Sequence, residues 1–290
     1  MFNGVLTALV TPFRRGAIDE DALRALVEDQ IANGIDGLVP VGTTGESPTL
    51  TFDEHIRVVE VVVQVTQKRI PVIAGTGSNS TAEAIELSLA AKKVGADGLL
   101  QVTPYYNKPS QESLYRHFKA ITEACPLPTV LYNVPGRTGC DLLPDTIVRL
   151  AEIPEIVAVK EATGSALRAS QILARVPRHF SVLSGDDATA FSLYALGGRG
   201  TISVVSNVAP AQMAEMWDAA AAGRWDRARE LHFTLLPLSE GLFIDSNPVP
   251  VKSALAMMGR IADELRAPLY PLAGPNRDKV RGFMTEVGLL

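Results

Sequence analysis

The strongest constraint on this chain is a repeated alternation of short, continuously apolar, β-prone runs with longer stretches of helical period. Residues 4–11 read as a first strand, and 19–33 as a helix with Leu23, Leu26, Val27 and Ile31 on one stripe. Further strands are expected at 37–41, 71–75, 98–103, 128–133, 156–160, 181–185 and 200–204. Helical stripes such as Leu114, Phe118 and Ile121 lie between them. Two helices open on the pattern of a capping box, Thr51 with Glu54 and Ser80 with Glu83, in which hydroxyl and carboxylate satisfy free backbone donors reciprocally.

Eight strands, each followed by a helix, are the content of a closed (β/α)8 TIM barrel, an α/β fold. The strands are apolar throughout instead of alternating, as expected where both faces of a parallel sheet are buried. A doubly wound open sheet competes, but residues 75–80 follow the third strand and lack the third glycine of a dinucleotide fingerprint. After Arg224 the pattern changes. Residues 225–243, 248–258 and 276–287 read as helices with no strands between them, broken at Gly259 and Gly274-Pro275. The expected division is a catalytic barrel over 1–224 and a C-terminal helical domain over 225–290.

With 27 Lys and Arg against 32 Asp and Glu, the net charge of −5 supplies no concentrated basic face, so no nucleic-acid partner is expected. The longest uncharged stretch, 200–214, contains Gly, Ser, Asn and Pro and is shorter than the roughly 18 apolar residues of a membrane helix. The pair Arg14-Arg15 follows the first apolar run instead of preceding it, the wrong order for a signal peptide. Two cysteines, Cys125 and Cys140, have no CxxC spacing, and four scattered histidines make no ligand pair. A cytoplasmic protein without a metal site is the expectation.

In a barrel the chemistry sits where strands end and βα loops converge. The sixth strand ends on Lys160 after four apolar residues; it either snorkels to the rim or pairs with Glu161, or it is a desolvated amine able to attack a ketone. The fifth ends at Tyr132-Asn133, a proton shuttle if a neighbour relays the proton and otherwise a core tyrosine. Arg137 follows in a Pro/Gly-bounded loop and suits a carboxylate, unless it is a solvated surface arginine. The run 41–47, VGTTGES, offers amides and two hydroxyls to a small anion, or is a tight turn. Tyr105 and Tyr106 add aromatics to the same rim after the fourth strand, as packing or interface groups. Asp186-Asp187 after the seventh reads as a helix cap in preference to a cation site.

Together VGTTGES (41–47), AGTG (74–77), VTPYYNKPSQ (102–111), LYNVPGRTGCDL (131–142), VKEATG (159–164), LSGDD (183–187), TISV (201–204) and NPVPVK (247–252) resemble the dihydrodipicolinate synthase family of class I, Schiff-base aldolases, the wider group that includes N-acetylneuraminate lyase. The resemblance spans nearly the whole chain. It implies condensation of pyruvate with L-aspartate 4-semialdehyde in the diaminopimelate route of lysine biosynthesis. Lys160 would form the imine, Tyr132 would be the general acid/base, and Thr43 and Tyr106 would complete its proton relay. In the family the tyrosine matching Tyr106 enters from the neighbouring subunit, which implies a homo-oligomer: a tight dimer, usually paired into a homotetramer. Thr44, Ile202 and Gly185 match substrate-binding positions, and Arg137 matches the arginine that grips the carboxylate of the second substrate. No cofactor is implied, since an imine lysine replaces a separate carbonyl cofactor. Ser47, His55, Asn79, Glu83 and Tyr105 match a cleft that binds lysine in feedback-inhibited members, while Phe52 stands where those members commonly carry histidine. Two other activities compete: cleavage of a keto-deoxy sugar acid, which needs no carboxylate clamp at Gly136–Gly139, and a catalytically silent ketoacid-binding barrel.

Overall fold

The computed structural model describes residues 2–290. Eight strands form the barrel: β1 (Gly4–Ala8), β2 (Gly37–Val39), β3 (Ile73–Gly75), β4 (Gly98–Val102), β5 (Thr129–Asn133), β6 (Ile156–Glu161), β7 (Ser181–Ser184) and β8 (Gly200–Ser203). All pair in parallel in the order β2-β1-β8-β7-β6-β5-β4-β3. The ring closes between β2 and β3 through a bridge from Leu38 to Val72, with Leu38 N donating to Pro71 O at 3.0 Å and Gly75 N to Pro40 O at 3.0 Å.

The connecting helices are α1 (Glu20–Ala32), α2 (Phe52–Thr66), α3 (Thr81–Lys93), α4 (Gln111–Ala124), α5 (Pro135–Thr138), α6 (Pro144–Leu150), α7 (Ala166–Leu173), α8 (Ala190–Ala195) and α9 (Pro210–Ala221). Three more follow, α10 (Trp225–Gly241), α11 (Val249–Met257) and α12 (Gly274–Glu286), within two residues of the expected bounds at every end. A short hairpin, Phe13–Arg14 with Ala17–Ile18, was not legible in the sequence. Among the described residues no helix is long and apolar enough to cross a membrane.

Strand alternation sorts the core into two layers. Leu6, Ala8, Val39, Ile73, Leu100, Val130, Tyr132, Ala158, Leu183 and Ile202 fill the barrel, with Phe2 packed among them. Residues of opposite parity, such as Val5, Leu38, Leu131 and Val159, pack outward against the helices. One outer cluster continues without interruption from Val5 and Leu38 to Leu235, Leu255 and Met284, so the C-terminal helices share a core with the barrel.

Local chemistry explains the departures from expectation. The second strand stops at Val39 because Val41 adopts φ +51, a left-handed conformation that a β-branched residue rarely takes. The capping box at Thr51 is complete, whereas the one at Ser80 is only half formed. Ser80 Oγ accepts from Glu83 N, but the Glu83 carboxylate turns to the hydroxyl of Ser78, whose oxygen takes the Ser80 N–H instead.

Candidate active site

Lys160 lies on β6 two residues after Ala158, so the strand's period of two carries both into the barrel. Tyr132 on β5 is its register partner, and the Lys160 Nζ stands 4.3 Å from the centroid of the Tyr132 ring. The two residues are 5% and 6% exposed, so the lysine does not snorkel to the rim. Nor does it pair with Glu161. The next residue points to the other face, where Glu161 accepts from Asn133 Nδ2 at 3.1 Å and from Thr163 N at 2.9 Å. Asn133 and Arg168 both bond Asp141, a chain that holds Glu161 outside the barrel. Among the described residues no carboxylate pairs with Lys160. Such a buried ammonium is compensated only by the face of an aromatic ring, a weak partner beside a carboxylate.

Gly185 follows β7 directly and approaches this lysine closely. A Cβ there would lie 3.1 Å from Lys160 Cε and 2.6 Å from the Ala162 Cβ, so glycine clears the path of the lysine stem. Ile202, on β8, is buried in the same inner layer as Tyr132.

The loop 41–47 is held under strain. Val41 and Glu46 have φ of +51 and +56, and a Cβ on Gly75 would come within 2.5 Å of Val41 O. The Glu46 carboxylate fixes the far end. It accepts from Lys252 Nζ at 2.5 Å and from Arg266 N at 3.0 Å, while Lys252 also donates to Thr11 O at 2.9 Å. Both members of this ion pair are fully buried, and burial pushes the Lys252 ammonium below its ordinary value against the pull of Glu46. At the other end Thr44 is buried and its Oγ1 accepts from Asn247 Nδ2 at 3.0 Å.

Thr43 and Arg137 line a cavity of about 590 Å³ that also includes Asn247. Arg137, on α5, donates from Nη2 to Asn247 O at 3.4 Å and has no carboxylate partner among the described residues. The same cavity takes in Ser47, His55, Glu83 and Tyr105, together with Phe52. Asn79 is tied to it through a bond from its Nδ2 to Tyr105 O at 3.2 Å. Burial pushes the His55 imidazole below its ordinary value, although its Nε2 lies 2.8 Å from Gly75 O.

One sequence reading, that of the aspartate pair, changes in part, while Tyr106 keeps the outward position expected of a residue that serves a neighbouring subunit. Tyr106 is 88% exposed with φ +74 and is not brought to Lys160 within this chain; its neighbour Tyr105 turns to the cavity instead. Of the aspartate pair only Asp186 caps, accepting from Ala188 N at 3.1 Å and from the Thr189 hydroxyl at 3.0 Å. Asp187 is buried and receives Val204 N at 2.8 Å and Val205 N at 3.0 Å, pinning the end of β8; burial pushes its carboxyl up. Sequence reasoning assigned no role to Glu46, Asn247 or Lys252. A lysine inside the apolar run of α11 was the available signal for the last of these.

The family model "Dihydrodipicolinate synthetase family" matches residues 1–287 of the chain. The 4-hydroxy-tetrahydrodipicolinate synthase of Pelobacter propionicus is 56% identical over 290 residues, covering 100% of both chains. A solved dihydrodipicolinate synthase of Acinetobacter baumannii, described as chloride inhibited and complexed with pyruvate, is 49% identical with TM-score 0.98, covering 100% of both chains. The enzyme of Cyanidioschyzon merolae, solved with lysine bound, is 41% identical with TM-score 0.97 over 100% of this chain and 99% of that one. With a full-length family match and more than half its residues shared with a curated relative, the chain belongs to the dihydrodipicolinate synthetase family.

Proposed function

We propose that this chain condenses pyruvate, held as an imine on Lys160, with L-aspartate 4-semialdehyde to give 4-hydroxy-tetrahydrodipicolinate. The observation that carries the reading is a buried lysine at the catalytic face of the barrel, over the Tyr132 ring and without an anionic partner among the described residues. The neutral amine adds to the pyruvate carbonyl and water leaves, making an electron sink that lets a methyl proton go. The resulting enamine attacks the aldehyde carbon, whose oxygen takes up a proton and becomes the 4-hydroxyl of the product. The substrate amine, having given one proton to solvent, then adds to the imine carbon; a second proton passes to the Lys160 nitrogen, whose bond to carbon breaks.

Tyr132 is assigned the proton transfers, through Thr43 and Tyr106. Thr44 and Ile202 are assigned to the pyruvate pocket with Gly185, and Arg137 to the carboxylate of the aldehyde substrate, for which a guanidinium with no carboxylate partner among the described residues is suited. The outward Tyr106 supports a tight dimer in which it completes the relay of its neighbour, and the family resemblance adds the pairing of two such dimers into a tetramer. Residues 1–224 are taken as the barrel and 225–290 as helices that complete its site. Two buried free thiols fit a reducing, cytoplasmic compartment.

Incubation with pyruvate and borohydride tests the assignment. The expected result is a pyruvate-sized covalent adduct on the intact protein, mapping to the peptide that carries Lys160. An adduct on another lysine, or none, rejects it.

We also propose L-lysine as an effector. It would sit in the part of the cavity lined by Ser47, His55, Glu83 and Tyr105, where Glu83 offers a carboxylate to an ammonium, with Asn79 beside them. Activity is expected to fall as L-lysine is titrated to millimolar levels. Unchanged rates across that range reject the effector site, with Phe52 as the physical reason.

A further inference from the structure

Asn247 precedes α11 and faces the cavity between two groups of the site. Its Nδ2 is committed to Thr44 Oγ1, and its backbone oxygen takes Arg137 Nη2. Its side-chain Oδ1 is buried and has no hydrogen-bond partner among the described residues. A buried acceptor left unpaired costs free energy, and such atoms in a site wait for a donor. The donor must fit beside Arg137, whose guanidinium has no carboxylate partner among the described residues and attracts an anion. A carboxylate and an N–H donor a few ångströms apart describe the α-amino-acid end of a molecule.

We propose that Asn247 Oδ1 receives the α-ammonium of the aldehyde substrate, so that Arg137 and Asn247 together read its amino-acid end. This rests on the substrate assignment above and adds the residue that selects for the amine. A neutral acceptor suits the chemistry. The nitrogen must shed a proton before it displaces Lys160, and a carboxylate at this position would hold it charged.

The test compares L-aspartate 4-semialdehyde with succinate semialdehyde, which keeps the carboxylate and aldehyde but lacks the amine. In Asn247→Ala the KM for the amino substrate should rise about 10- to 100-fold, the scale of one hydrogen bond to a charged group. The Ki of succinate semialdehyde should stay near its value in the parent. A purely structural role would weaken both alike, and that result, or an unchanged KM, overturns the proposal. Asn247→Asp keeps an acceptor and serves if the alanine variant does not fold. Its KM should stay near the parent's while kcat falls, and a raised KM with kcat intact overturns the proposal. Borohydride trapping of pyruvate, run on each variant, reports the imine separately. Trapping that persists while the amine preference is unaltered rejects Asn247 alone, whereas its loss in the parent rejects the substrate assignment and this proposal with it.

Discussion

Replacing Lys160 with alanine should remove the pyruvate–borohydride adduct and lower kcat by a factor on the order of 10⁴ to 10⁶, the scale seen when a covalent nucleophile is deleted. The loss is this large because, among the described residues, the other buried lysine is Lys252, which is committed to Glu46. A shape-conserving Lys160→Met should lose activity equally yet keep its melting temperature or raise it. Among the described residues the buried ammonium meets the Tyr132 ring and no carboxylate, so the fold gains little from the charge. An adduct that survives in either variant places the imine elsewhere. A melting temperature that drops in the methionine variant would give the Lys160 charge a structural role.

The largest stability effect is expected at Lys252. Lys252→Met leaves the Glu46 carboxylate buried beside Arg266 N with its main countercharge gone, and breaking such a pair from one side costs about 3–5 kcal/mol. For a chain of this size that is a drop of roughly 5–8 °C in a thermal melt. The double change Glu46→Gln with Lys252→Met should recover part of the loss, because neither charge is then stranded. A single variant that melts with the parent would show that the loop 41–47 does not depend on the pair. The effect also reaches the site: Glu46 anchors one end of the loop whose Thr43 lines the cavity and whose Thr44 meets Asn247.

The sequence by itself determined the architecture and the lysine. Eight apolar runs separated by helical stripes leave few ways to bury both faces of each strand, and a parallel barrel is one of them. Within β6 the period of two places Lys160 with Ala158 on one face and Glu161 on the other, which is local geometry and legible in one line of residues. Local signals were weaker where two partners competed for one group. The Glu83 carboxylate had both Ser80 N and Ser78 Oγ within reach of its turn, and spacing alone did not say which it would take.

Only the tertiary structure decided the rest, because it depends on contacts between residues far apart in the chain. Val41 is left-handed because Gly75 and Gly45 pack against its backbone, so β2 ends earlier than its apolar run suggests. The orientation of Tyr106, outward while Tyr105 faces the cavity, follows from a positive φ that no residue pattern announced. Asn247 and Lys252 lie more than 200 residues from Thr44 and Glu46, and nothing local to α11 says that it clamps the loop after β2. A helical segment that reads as an addition to the barrel thereby supplies the hydrogen bond and the buried charge that hold two threonines in place. Periodicity reports which face of an element is buried, whereas the pairing of one buried polar group with another is settled only when the elements pack.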